Sequence, residues 1–433
     1  GYKNATFPAI SGAWNISKEK FFDSRSVNLK VRASYGSLGN VTIAPWQYLG
    51  TANSTIRFLF SGTSPLVGAT QTVLVHPDLR WETDNTTDVG IDGSVFNNAL
   101  SFTLDYFKRI SKDVLTLNNP IPAYLTGNSN PPYPAVNAAS LENRGIEASI
   151  TYRNNTHPFK FDITANITSL KNKLLSLGGA NSTNYVQEPL TRSQIGRSLG
   201  EYYLLQSDGI FQSQDEINNY VDKNGNKIQP TAAPGDQKFI QYKTNGVSGI
   251  TADDRTFRGS PWPKFQTGLI WNAGYKNFSL NVILFGSFGN KLYNGSRSLL
   301  ENLQNNNSYA SGLKPWTADN PNTATPRAYF GAGNNSSADA SLDVIGISDR
   351  WLEDGSFVRL RNVELSYTIL PAVLKAAKIS TARLFISGQN LVTLTKYKGL
   401  DPEIANSDIF SRGVDNIVYP ANKIVSAGIQ LGF

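Results

Sequence analysis

The closing stretch NKIVSAGIQLGF (422–433) decides the fold. Val425, Ala427, Ile429, Leu431 and Phe433 fall on one side of an extended chain, and Ile424, Ser426, Gly428, Gln430 and Gly432 on the other. A period of two makes this a β-strand with one apolar face and one mostly small or polar face. A terminal strand in a water-soluble protein usually frays or carries a polar tail. This one runs to the end of the sequence and stops on an aromatic, Phe433. Transmembrane β-barrels of bacterial outer membranes close on such a strand, and the final Phe is the candidate barrel-insertion signal.

Composition narrows the alternatives. With 433 residues the chain could bury a large core or form several soluble domains. It opens at Gly1 in mid-pattern and is expected to be a piece of a longer protein. It has no Cys, no Met and two His, His76 and His157. That excludes a disulfide framework and thiolate metal sites and leaves too few ligands for a His cluster, so no metal or cofactor is expected. Net charge is +7, but the basic residues are scattered, with no run of the kind that binds nucleic acid. No apolar stretch approaches the roughly 18 residues of a membrane helix, which excludes a helical membrane protein. A membrane barrel stays open, because its alternating strands average to a mildly hydrophilic chain.

The same alternation recurs from the start. Residues 7–14 read as a first strand. Val27, Leu29, Val31, Ala33 and Tyr35 alternate with Asn28, Lys30, Arg32 and Ser34. Further strands are expected around 82–95, 102–106, 146–152 and 159–167, then 269–273 and 278–284. Another spans 357–367, with a phase slip near Arg361 that reads as a bulge, and one more spans 383–394. The stretch 171–263 resists a strand reading, and 289–349 is another long, Asn-rich excursion. Connections near residues 20, 97, 155, 276 and 375 are short, and those near 60, 125, 215, 320 and 408 are long. They alternate strictly. A meander with brief turns at one rim and long loops at the other is the layout of an outer-membrane barrel. About eleven strands are counted, each near the roughly 9–11 residues that a tilted span needs. With the C-terminus periplasmic, every long loop lies outside the cell, apolar faces meet lipid and polar faces line water. An odd count requires further strands from upstream.

Seven phrases, in order along nearly the whole chain, carry a family resemblance. They are LKVRASYGSLGN (29–40), LRWETDNTTDVGIDGSVFNNALSFTLDYFKRISKDVL (79–115), LENRGIEASITY (141–152) and IGRSLGEYYLLQSDGIFQSQDEI (195–217). ITADDRTFRGSPWPKFQTGL (250–269), WLEDGSFVRLRNVELSYTI (351–369) and ISGQNLVTLTKYKGLDPEI (386–404) complete the set. Together they resemble SusC/RagA-type TonB-dependent transporters of the Gram-negative outer membrane. The resemblance implies an all-β fold, roughly the C-terminal half of a 22-stranded transmembrane antiparallel barrel with long extracellular loops. The whole chain, 1–433, would belong to that barrel, with the plug domain and the first strands upstream. It implies uptake of oligosaccharides or peptides, energy delivered by TonB through the N-terminal part, and a SusD-like surface lipoprotein as lid. One stretch departs from the family. Where the pattern often has an Asp- and Gly-rich, calcium-loop-like segment before ITADDR, this chain has Lys243 and Val247 at Asp positions. A Lys ammonium repels a hard cation, so no calcium is expected there.

No catalytic constellation is present, and no enzyme is expected. Asp253-Asp254 and Glu353-Asp354 could be acid/base pairs, but adjacent carboxylates in turns more commonly bond backbone amides or water. Loop aromatics are the candidate binding residues: Trp46, Tyr48, Tyr124, Tyr133, Trp316, Tyr329 and Phe330. Such rings stack on sugars or peptide side chains, or pack against the lid; the plainer role is to pin long loops together. Tyr35, Trp81, Tyr106, Tyr152 and Trp271 read as an interfacial girdle. The alternatives to an importer are a passive porin and a secreted, soluble β-rich adhesin or glycan-binding module.

Overall fold

The structure, a computed structural model, describes residues 4–22, 27–41, 52–58, 66–71, 79–116, 136–177, 184–243, 249–303, 310–328, 347–374, 378–404 and 408–433. Eleven strands form one antiparallel sheet in which each pairs with the next in sequence. They are β1 (Ala9–Asn15), β2 (Val27–Asn40), β3 (Glu82–Val95), β4 (Leu100–Thr116), β5 (Val136–Asn154) and β6 (Phe159–Leu177). Then come β7 (Phe265–Tyr275), β8 (Phe278–Phe288), β9 (Phe357–Thr368), β10 (Thr381–Thr395) and β11 (Ile424–Gly432). β1 and β11 are the two edges of the sheet.

Register sorts the side chains by chemistry. Phe102, Ile150, Ala165, Leu269, Leu284, Leu360 and Val392 are successive cross-strand partners in one row. A row on the opposite face holds Arg153, Asp162, Asn272, Asn281, Glu364 and Ser387. The polar row is knitted by side-chain bonds: Asn272 Nδ2 donates to Asp162 Oδ2 at 2.9 Å, and Asn281 Nδ2 to Asn272 Oδ1 at 2.7 Å. Asn362 Nδ2 donates to Asn281 Oδ1 at 2.9 Å. The apolar rows stay bare. Leu104, Ile146, Ile150, Leu365, Ile386 and Ile429 are all exposed. Water does not tolerate so large an apolar surface on a monomer.

The apolar face has visible ends. Near the short turns it is ringed by Tyr152, Phe159, Phe161, Tyr275, Phe278 and Tyr367, with Phe278 and Tyr367 rings 4.9 Å apart and Tyr152 and Phe161 5.8 Å apart. Trp271 shares the register row of Tyr152 through Ile163. At the other end, outward positions turn from Tyr106 and Ile146 to Lys108 and Arg144. Lys108 Nζ and Arg144 Nε there lie 3.2 Å and 3.6 Å from Glu142. β4, β5 and β6 run to 17, 19 and 19 residues and so extend past the apolar belt, longer than the span expected from the sequence.

The connections alternate as the sequence implies: short at 16–26, 96–99, 155–158, 276–277 and 369–380, and long at 41–81, 117–135, 178–264, 289–356 and 396–423. Phe96, Asn97 and Asn98 all take positive φ in the tight turn after β3. The bulge falls where the phase slip places it. Ile283 pairs with Asn362 and Leu284 with Leu360, leaving Arg361 unpaired and keeping both Leu360 and Val363 on the apolar face.

Two stretches differ from expectation. Residues 171–263 and 289–349 are not strandless: β6 runs to Leu177, and short strands form above it. Thr256–Gly259, Glu201–Leu204, Thr191–Gln194 and Tyr185–Gln187 make a four-stranded sheet in that order. Ser207–Ile210 pairs with Gln237–Phe239, and Lys291–Asn294 lies between Leu352–Asp354 and Val414–Asp415. These pieces form a cap at the rim of long connections, and the molecule's buried apolar cores sit there. Tyr202, Leu204, Tyr293, Ile347, Trp351 and Val414 form one cluster; Leu205, Ile228, Phe239 and Ile250 form another.

The two faces predict opposite tolerances. Ile150→Arg should cost roughly 2–4 kcal/mol of stability in lipid. Ser149→Arg, between Thr103 and Asn166 on the polar face, should fold like the wild type. Urea titration of the protein refolded into vesicles distinguishes them; equal losses would refute the assignment of faces.

Candidate functional site

The cap over the rim of long connections is the candidate site, because three connections remote in sequence converge there. Tyr202, from 178–264, is fully buried, and its hydroxyl donates to Gly413 O at 2.6 Å and accepts from Tyr293 N at 3.1 Å. Trp351, from 289–356, is also fully buried in the cluster that Tyr202 and Val414 complete. Tyr397, from 396–423, donates to the buried Asp415 carboxylate at 2.5 Å, and Asp415 in turn accepts from Val418 N at 3.0 Å. Burial holds the Tyr202 hydroxyl well above the usual phenol range. Burial and the Asp415 bond do the same for Tyr397.

The connection 396–423 is tied back to the polar face of the sheet. Arg359 in β9 is 2% exposed. Its Nη2 meets Asp401, its Nη1 lies 2.8 Å from Glu403 Oε2 and its Nε 2.9 Å from Thr393 Oγ1. Glu403 also holds Arg361 of the bulge, and Asp401 accepts from Ala421 N at 2.9 Å. Lower on the same face, near the short turns, lies a polar recess of about 350 Å³ bordered by Lys160, Asp162, Asn272, Asn281, Glu364 and Arg383. The sheet therefore offers a water-compatible wall below and a folded roof above.

Of the seven loop aromatics singled out in the sequence, Trp46, Tyr48, Tyr124, Tyr133, Tyr329 and Phe330 lie outside the described residues. Trp316 is half-buried in the cap. Its Nε1 donates to Gln212 Oε1 at 2.8 Å and its backbone N to Thr325 O at 2.9 Å. Its ring lies over Gly235, where φ is +93° and an added Cβ would come within 2.5 Å of Trp316 Cε3, so only glycine fits. Next to it Arg327 Nε is 2.7 Å from Asp236. Trp316 thus joins 289–356 to 178–264. Phe433 follows β11 and is 90% exposed.

The acidic pairs are structural. Asp254 is fully buried and accepts from the amides of Tyr242, Lys243 and Thr251. Asp354 caps Ser356, whose hydroxyl and amide hold its carboxyl below the usual range. Glu353 pairs with Arg297 at 2.8 Å. Residues 244–248 of the calcium-loop-like segment lie outside the described residues, and Lys243 Nζ is 3.9 Å from Asp253. The sequence did not single out Tyr202, Trp351 or Arg359, because their partners are set by tertiary packing.

Comparison with known proteins bears out the SusC/RagA-type resemblance. The family described as TonB dependent receptor-like, beta-barrel matches residues 1–205. TonB-dependent receptor P3 of Formosa agariphila is 30% identical over 100% of this chain and 42% of its own length. TonB-dependent receptor SusC of Bacteroides thetaiotaomicron is 26% identical over 99% of this chain and 40% of its own. The chain spans less than half the length of these curated relatives. A solved structure described as the RagAB peptide transporter superposes with a TM-score of 0.77 at 24% identity, covering 99% of this chain and 43% of that one. The likeness shows the fold. Receptors of this family are outer-membrane proteins.

Removing the roof's central ring tests its unity. Trp351→Ala should cost about 3–5 kcal/mol, and should raise amide exchange in 201–204, 291–294 and 414–415 together while the eleven-stranded sheet stays protected. The two clamped phenols add a pH dependence. Their folded pKa is raised, so unfolded tyrosine releases its proton first, near pH 10. Their stabilisation is complete below that pH and falls as pH rises above it. Protection factors in the cap, which remove the intrinsic base catalysis of exchange, should therefore fall from pH 9 to pH 11, and protection factors constant over that range would contradict the clamp.

Proposed function

We propose that this chain is the barrel portion of an outer-membrane importer that takes up oligosaccharides or peptides and is driven by TonB. The observation that carries the reading is the division of the molecule into two media. An exposed apolar belt ends at an aromatic ring on one side and at Lys108 and Arg144 on the other, under a roof built only from long connections. Hydrocarbon satisfies the belt, and water satisfies the Asp162–Asn272–Asn281 wall. Both sheet edges lack a neighbouring strand among the described residues, and lipid does not tolerate unpaired backbone groups, so closure would need further strands from the same receptor.

In this reading the C-terminus is periplasmic, the cap faces the exterior, and Phe433 serves the assembly machinery. Trp46, Tyr48, Tyr124, Tyr133, Trp316, Tyr329 and Phe330 contact cargo or a SusD-like lid. A plug upstream moves when TonB pulls. No bond is made or broken; affinity comes from loops and passage from energy. A peptide cargo is supported by the likeness to the RagAB peptide transporter, and an oligosaccharide by the family resemblance of the sequence phrases alone.

Uptake of labelled cargo by cells expressing the full receptor should stop when TonB is deleted or the proton gradient is collapsed. Deleting the gene for a neighbouring lipoprotein lid should lower uptake at low cargo concentration. Uptake that survives loss of both TonB and the gradient would mark a passive porin.

A further inference from the structure

Arg192 in the four-stranded sheet of the cap and Arg255 just before its edge strand have no carboxylate partner among the described residues. The Arg192 guanidinium carbon lies 4.1 Å from the ring centre of Tyr185 and 3.6 Å from that of Tyr203. Its Nε donates to Gln187 Oε1 at 2.6 Å, and its terminal amino groups have no acceptor among the described residues. Arg255 reaches the same turn from the far edge of the sheet. Its Nη1 donates to Pro189 O at 3.2 Å, while its Nε is buried with no partner. Burial and then the charge of Arg192 hold Arg255 below the usual guanidinium range.

Other arginines of the cap are treated differently. Arg258 meets Asp349 at 2.9 Å, Arg297 meets Glu353 at 2.8 Å, and Arg327 meets Asp236 at 2.7 Å. Arg197, in the connection between strands 191–194 and 201–204, stacks over Phe257 at 3.7 Å and pairs with Glu201. Arg192 and Arg255 are half-buried like charges with no counter-ion among the described residues, and an opposite charge brought beside them would favour both charged forms. Two rings and Gln187 fix the Arg192 plane, so the open approach is to its amino edge. A planar fork presented edge-on matches the two oxygens of a carboxylate.

We propose that Arg192 and Arg255 form a binding site for a carboxylate carried by a ligand arriving at the cap. The carboxylate sits on the Arg192 amino edge, and the Arg255 guanidinium, electrostatically coupled to Arg192, supplies the second charge. The site depends on the cap alone and holds whether or not cargo passes through the barrel.

The test is calorimetry on the full receptor in detergent, away from any transport assay. The probes are acetylated triglutamate amide and trigalacturonate, with triglutamine amide and maltotriose as neutral counterparts. At least one acidic probe should bind about tenfold or more tightly than its counterpart, weakening with salt. Preference for the peptide assigns an amino-acid carboxylate, and preference for the uronate a sugar acid; either supports the site. Arg192→Gln should lose about tenfold or more of that affinity. Arg192→Lys, which keeps the charge without the fork, should remain weakened. Arg255→Gln should lose affinity while its melting temperature is unchanged or raised, because a like-charge contact is relieved. Acidic and neutral probes binding alike, or variants binding like wild type, would overturn the proposal. So would inorganic sulfate displacing the probe at equal concentration, which would mark a general anion patch.

Discussion

A chain that crosses hydrocarbon must bond every backbone amide and carbonyl to itself, and an extended chain can do so only by lying beside another strand. That demand fixes most of what is seen below the cap. Each strand pairs with its neighbours in sequence, and the pleat sends alternate side chains to opposite media. A row such as Ile150–Ala165–Leu269–Leu284–Leu360 can be bare because its solvent is apolar. Its neighbour Asp162–Asn272–Asn281 is bonded sideways because its solvent is water. The bulge at Arg361 obeys the same rule. It shifts the phase of β9 by one residue, so two arginines reach the polar face while Leu360 and Val363 both stay on the apolar one.

Few of the sheet's described apolar side chains are buried, Leu174 and Phe357 among them. The hydrophobic cores lie above it, in a roof of short strands held by Tyr202, Tyr293, Trp351 and Val414. Ordinary burial in water stabilises that roof, so the molecule combines two folding regimes. Polar clasps set the geometry between them. Arg359 ties the 396–423 connection to the wall through Asp401 and Glu403, and Tyr397 ties it to the roof through Asp415.

The lower half was legible in the sequence because a period of two repeats over many residues, as from Val27 to Tyr35 or Phe159 to Ile167. The spacing of turns carried the topology, and a single broken phase marked the bulge. The roof was not legible. Tyr185–Gln187 and Glu201–Leu204 are too short to show a period. Their partners are chosen by packing between segments that no local pattern links. The same reason hid Arg192 and Arg255, each an ordinary cation until Tyr203 stands between strands 191–194 and 256–259. Trp316 was visible as a loop aromatic, while its hold on Gln212 and Gly235 was not.

The Tyr202 bond to Gly413 spans 211 residues. Val414–Asp415 completes a sheet begun at Lys291–Asn294, just before β11. Contacts so remote in sequence carry a large loop-closure cost. The roof is thus a knot tied across three distant connections, and cutting the chain anywhere between Tyr202 and Val414 would separate its halves.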